Sequence, residues 1–225
     1  MDYRRTFRTA AVSFVDLVSR LPADRWDEPG LGDWTLRELV GHTASSALRQ
    51  IPTVLTAPAE VPAVRSAAPT DAPAERPAAP SITSPEGYFA YARKVPADLY
   101  ATAQQASTRD ARETARILGD DPATTVGELA ARATQALAAA TDDDVVATPA
   151  GAMRVRDWIP TRTFELVVHG LDVAAAAGVT AGFTDEAVAE SAQLAARLAV
   201  AVGDGPAVLQ ALTGRAQLPE SFSVM

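Results

Sequence analysis

Arg162-Thr-Phe-Glu-Leu-Val-Val-His-Gly-Leu-Asp172 decides how this chain is read. At about 100° per residue, Arg162, Glu165, His169 and Asp172 fall within an arc of roughly 80° on one helix face. Phe164, Leu166, Val167, Val168, Leu171 and Val173 fill most of the remaining circumference. A helix that is apolar on most sides is a buried helix. Its polar strip then needs partners or a metal, because an unpaired buried ionisable group costs several kcal/mol. Glu165 and His169 are four residues apart, so a carboxylate and an imidazole sit side by side.

The chain holds one other histidine, His42, in Trp34-Thr-Leu-Arg-Glu-Leu-Val-Gly-His42. Thr35 and Glu38 fit a capping box that starts a second helix near Trp34, running to about Gln50, with His42 at the edge of its apolar stripe. One histidine from such a neighbour completes a three-ligand set with Glu165 and His169. Three protein ligands leave a fourth position open, as in catalytic rather than structural zinc sites. The bland alternatives are a surface histidine at 42 and an ordinary hydrogen-bonded pair at 165 and 169.

Outward from these segments, helices are expected over 3–20, from about Pro85 to Ala106 with Pro96 as a kink or break, and over 124–140, 157–177, 184–202 and 206–213. Eight prolines between Pro52 and Pro85 predict an extended surface loop over 52–85. Asp142 to Met153 reads as a loop or short hairpin. The expected fold is mainly α: a four-helix bundle spanning 1–178, with 179–225 as a small C-terminal helical or α/β extension packed on it.

At 225 residues the chain can bury a real core. A net charge of -8 provides no basic stripe for nucleic acid and no attraction to an anionic membrane. No apolar run reaches the roughly 18–20 residues of a spanning helix, and the start Met-Asp-Tyr-Arg-Arg continues as an amphipathic helix rather than a signal peptide. The expected location is the cytoplasm, as a monomer or homodimer. With no cysteine, the chain supplies no thiol of its own, so any thiol chemistry needs an external thiol. Nineteen arginines against a single lysine fit a GC-rich bacterial source. Ser45 and Ser46 lack a free histidine to serve as base if both histidines bind metal, so a serine-hydrolase reading is poor.

Four segments together resemble the mycothiol-dependent maleylpyruvate isomerase family, within the wider DinB-like superfamily of metal-binding four-helix bundles. They are Gly32-Asp-Trp-Thr-Leu-Arg-Glu-Leu-Val-Gly-His42, Thr148-Pro-Ala-Gly151, Arg162 to Asp172, and Leu212-Thr-Gly-Arg-Ala-Gln-Leu-Pro219. The resemblance implies a divalent metal, usually zinc, held by His42, Glu165 and His169, and mycothiol as thiol cosubstrate. It also implies a small electrophilic substrate, isomerised or converted to an adduct. Asp172 is expected to orient His169 and share in catalysis, or to be a helix-surface acid. Arg162 and Arg215 are expected to hold an acidic part of the substrate, with Arg215 also a catalytic candidate. The alternatives are a thiol-independent metal-dependent hydrolase or lyase, and a non-catalytic bundle that binds a small molecule.

Overall fold

A computed structural model describes residues 2–57 and 80–225. The central part of the expected proline-rich loop, residues 58–79, lies outside the described residues. The chain is mainly helical, in the order α1 (Tyr3–Ser19), α2 (Leu36–Ala44), a π-helical turn (Ser45–Arg49), α3 (Gln50–Thr56), α4 (Pro85–Ala92), α5 (Ala97–Ile117) and α6 (Pro122–Ala139). The antiparallel strands β1 (Val145–Thr148) and β2 (Gly151–Arg154) follow, then α7 (Val155–Ala177), α8 (Asp185–Ala201) and α9 (Gly205–Leu212).

Helix α1 begins where Asp2 accepts the backbone N–H groups of Arg4 and Arg5. Its buried face, Phe7, Ala10, Ala11, Phe14, Leu17 and Val18, packs between α6 and α7. The capping box expected at the start of α2 is present in both directions, with Glu38 N–H donating to Thr35 Oγ1 and Thr35 N–H to Glu38 Oε2. Helix α2 then lies against both α5 and α7, and α3 continues its line onto α6. Together these elements enclose a single large core around Phe7, Phe14, Leu39, Leu48, Trp158 and Leu166. Gly178, at φ 71°, ends α7 in the left-handed region that glycine adopts without penalty.

Several boundaries differ from the sequence expectation, each for a physical reason. Pro52 does not stop the second helix, which runs on to Thr56. The missing N–H of Pro52 falls directly after the π turn, where the regular i to i−4 ladder is already interrupted. The break expected at Pro96 is present, with Arg93–Pro96 separating α4 from α5, but α5 continues to Ile117, beyond the expected end near Ala106. Helix α5 buries only the small residues Ala111, Thr114 and Ala115, so its second half carries little apolar periodicity to read. The stretch from Asp142 is a hairpin, and Ser81 is stitched to it: Ser81 N–H donates to the Ala152 carbonyl, and Ala152 N–H to Ser81 Oγ.

Residues beyond Gly178 add α8 and α9. Helix α8 packs on α4, α7 and α1, placing Leu194 and Leu198 against Phe89 and Phe164 in a smaller second cluster. Helix α9 contacts α8 and buries none of its own residues.

Candidate metal centre

Helix α7 is sequestered along most of its length, including Arg162 and Glu165, which are 2% and 9% exposed. That burial brings its polar strip against α2. His42 from α2 meets His169 from α7 edge to face, with ring centroids 4.7 Å apart and planes at 81°. His169 Nε2 lies 3.3 Å from Glu165 Oε2. One ligand atom from each of His42, Glu165 and His169 lies within 4.8 Å of the others. The three residues expected from sequence to bind a metal therefore converge at one point between two helices.

The donor set fits a zinc-like divalent ion. It offers two imidazole nitrogens and one carboxylate, a catalytic zinc composition that leaves a position for water or substrate. At bond lengths of ~2.0–2.2 Å and tetrahedral angles, two donors on one ion lie about 3.3–3.6 Å apart. The ligand atoms here lie within 4.8 Å of one another, so holding an ion requires them to draw in by up to about 1.5 Å.

The groups around the cluster fix which atoms point inward. His169 Nδ1 lies 3.0 Å from Asp172 Oδ2, which leaves Nε2 facing Glu165. Asp172 thus contacts the histidine it was expected to orient. His42 has two further contacts: the Trp34 ring centroid lies 4.6 Å from its own, and Ser107 Oγ of α5 is 3.3 Å from Nδ1. Ser107 was not singled out from sequence. It is one of several hydroxyls on a largely exposed, charged helix, and no local pattern marks it. Its place follows from the close approach of α5 to α2. A Cβ on Gly41 would come within 2.5 Å of the Ala111 carbonyl oxygen, so only glycine beside His42 permits that approach.

The two imidazoles are driven in opposite directions. Burial first, then the positive charges of His169 and Arg162, lowers His42 to about 4, against the pull of Glu165. Burial also acts to lower His169, but its hydrogen bonds with Asp172 and Glu165, and their charges, raise it to about 9. Burial acts to raise Glu165, yet the His169 hydrogen bond and the nearby Arg162 charge hold it below the usual carboxylate range. At neutral pH these shifts favour the neutral form of His42 and the charged form of His169, whose ring lies between Glu165 and Asp172.

The two arginines have different surroundings. Arg162 Nη1 donates to the Ser46 carbonyl at 2.7 Å and to Gln50 Oε1 at 3.2 Å, and Nε donates to Thr161 Oγ1. Its guanidinium also lies 5.1 Å from the Tyr88 ring centroid and 5.7 Å from that of Trp158. Ser46 belongs to the π turn, whose wider spacing interrupts regular helical bonding and presents a carbonyl to Arg162. Arg215 is exposed beyond α9, and its Nη1 donates to the Thr213 carbonyl. Among the described residues, Arg215 forms no hydrogen bond or ion pair with the three-residue cluster.

A helical bundle with a two-histidine, one-glutamate cluster between facing helices has an architecture and a donor set that could hold a metal ion. Residues 7–174 match the family described as mycothiol maleylpyruvate isomerase N-terminal domain, and the chain belongs to that family. The match takes in all of the cluster together with Trp34, Ser107 and Asp172. No curated protein and no solved structure matches this chain. Among the described residues, no helix is long and apolar enough to cross a membrane.

Proposed function

We propose that this protein is a metal-dependent enzyme that uses mycothiol to add to, or isomerise, a small electrophilic substrate. The observation that carries this reading is the convergence of His42, Glu165 and His169 within a chain of the mycothiol maleylpyruvate isomerase family. A divalent metal such as zinc, held by these three residues, would supply Lewis acidity and favour the thiolate form of a bound thiol.

The chain's own residues then bind and orient. Asp172 holds the His169 ring through Nδ1 so that Nε2 faces the cluster. Arg162 is fixed by Ser46, Gln50 and Thr161, and among the described residues its Nη2 has no hydrogen-bond partner, leaving donors for a substrate carboxylate. Arg215 is a second acid-binding candidate from the C-terminal segment. The mycothiol thiolate forms a C–S bond at an electrophilic carbon, and the electron pair of a conjugated double bond moves onto its activating group. In an isomerase the former double bond rotates, the C–S bond breaks and the thiol is returned. In a transferase the adduct takes a proton and leaves as product.

The test is elemental analysis of untagged protein, purified without chelator, followed by mycothiol assays on a panel of electrophiles. About one metal per chain and thiol-dependent turnover support the reading. A persistent adduct by mass spectrometry selects the transferase outcome, and full recovery of the thiol selects the isomerase. Turnover without thiol would point instead to a thiol-independent hydrolase or lyase. No metal, with no uptake on adding zinc, would leave a small-molecule-binding bundle.

A further inference from the structure

The geometry points to Ser107 as a positioning residue that fixes the His42 ring, and its Nδ1–H tautomer, so that Nε2 is the nitrogen offered to a metal. This inference rests on the metal-site reading above and assigns a role to a helix, α5, that contributes no ligand.

Three observations on different elements converge on it. Ser107 Oγ lies 3.3 Å from His42 Nδ1, within hydrogen-bond reach. A hydroxyl both accepts and donates, so this contact is compatible with a proton on Nδ1. Nδ1 thereby faces α5, and the other ring nitrogen is left for the side where His169 and Glu165 lie. Trp34 also packs on the imidazole, at 4.6 Å between ring centroids, which limits the freedom of the ring to turn. The approach of α5 is itself enforced: Gly41, next to His42, lets the Ala111 and Ala115 backbone come closer than any side chain would allow. Ala111 is one turn beyond Ser107, so this contact holds the hydroxyl at the height of His42.

His169 has the same arrangement with a different partner, since Asp172 occupies its Nδ1. Each metal-facing histidine is thus held through Nδ1 by a residue outside the ligand set. One partner is an anion within the same helix, and the other a neutral hydroxyl supplied across a helix interface. A histidine ligand is commonly fixed in this way, and removing such a partner typically costs about 10–100-fold in metal affinity. A neutral hydroxyl belongs at the lower end of that range.

The test compares wild type, Ser107→Ala and Ser107→Thr by two readouts. In metal-free protein, long-range 1H–15N spectra of the imidazoles report the His42 tautomer. The expected result is Nδ1–H in wild type and in Ser107→Thr, and a mixture or the other tautomer in Ser107→Ala. Zinc affinity, measured by competition with a chromogenic chelator, should fall about tenfold in Ser107→Ala and recover in Ser107→Thr. An Nε2–H tautomer in wild type overturns the inference without needing any variant to fold. So does a Ser107→Ala protein with unchanged tautomer and unchanged zinc affinity. A wild-type protein that takes up no zinc overturns the metal-site reading instead, and the tautomer spectra still decide whether Ser107 sets the ring.

Discussion

His42 and His169 stand edge to face across the α2–α7 interface, 4.7 Å between centroids, yet one favours the neutral form and the other the charged form. His42 is lowered to about 4 by burial and by the positive charge opposite. His169 is raised to about 9, despite burial, by Asp172 and Glu165. If both histidines hold a metal, as proposed, their different protonation preferences give metal uptake a definite proton count.

Zinc binding near pH 7.5 should therefore release about one proton per ion. The proton comes from His169, because His42 is already neutral above about pH 4 and Glu165 is already ionised. As pH falls from about 9, where His169 becomes protonated, apparent affinity should fall about tenfold per pH unit. Calorimetry in buffers of different ionisation enthalpy measures this release. Binding that releases no proton near neutrality would mean that His169 Nε2 is not displaced from an imidazolium.

Asp172→Asn tests the anionic half of that arrangement. Removing the carboxylate charge at Nδ1 should move the His169 pKa down from about 9 toward its ordinary value of 6.5, while burial continues to lower it. Imidazole proton shifts followed against pH in metal-free protein give the value directly. The same shift sets a stability window. A raised folded-state pKa contributes stability that is complete below about 6.5 and is lost as pH rises through about 9. Between those limits the metal-free wild type should lose melting temperature faster than Asp172→Asn. Parallel melting curves across that range would sink the assignment.

Two helix glycines should respond to alanine with opposite signs. At Gly41 the new methyl would meet the Ala111 carbonyl and the Ala115 amide, backbone atoms that cannot swing aside. Separating α2 from α5 should cost about 1–3 kcal/mol, read from denaturant midpoints, and weaken zinc binding with it. At Gly127 in α6 the nearest atom is Val15 Cγ1 at 3.8 Å, an ordinary contact. Gly127→Ala should stabilise by about 0.5–1 kcal/mol through helix propensity. Equal effects at the two sites would mean that the α2–α5 approach is not tight.

The parts of this structure that were legible in sequence are those where local pattern and burial agree. Helix α7 announces itself because its circumference is apolar apart from one strip, and that strip holds two of the three clustered residues. Thr35 and Glu38 place the start of α2 because their side chains satisfy backbone donors within the same four residues. Ser107 and the π turn at Ser45–Arg49 carry no such mark. The hydroxyl matters only through its distance to His42 across an interface, and the π turn exists in a stretch whose residues also suit an ordinary helix. Leu171 shows the opposite error of pattern reading: it looks like part of a buried face but is 47% exposed, because beyond Val167 only the face carrying Val173, Ala174 and Ala177 stays covered.

Arg162 and the Ser46 carbonyl give the last test, since they separate a fold-holding role from a substrate-binding one. The guanidinium is 2% exposed and bridges α7 to the π turn. Arg162→Met keeps much of the volume but leaves the Ser46 carbonyl and Gln50 without their donor, and takes a positive charge from beside Glu165. Leaving these buried acceptors without a donor should cost about 1–3 kcal/mol in folding stability, measured by denaturant unfolding of the metal-free protein. Arg162→Lys retains the charge but cannot span Ser46, Gln50 and Thr161 with a planar fork, so it should recover only part of that loss. If both variants stay within about 0.5 kcal/mol of wild type, as a surface substitution does, Arg162 is not holding α7 to the π turn. A variant that folds normally but loses saturation by an acidic electrophile would then place Arg162 at the substrate.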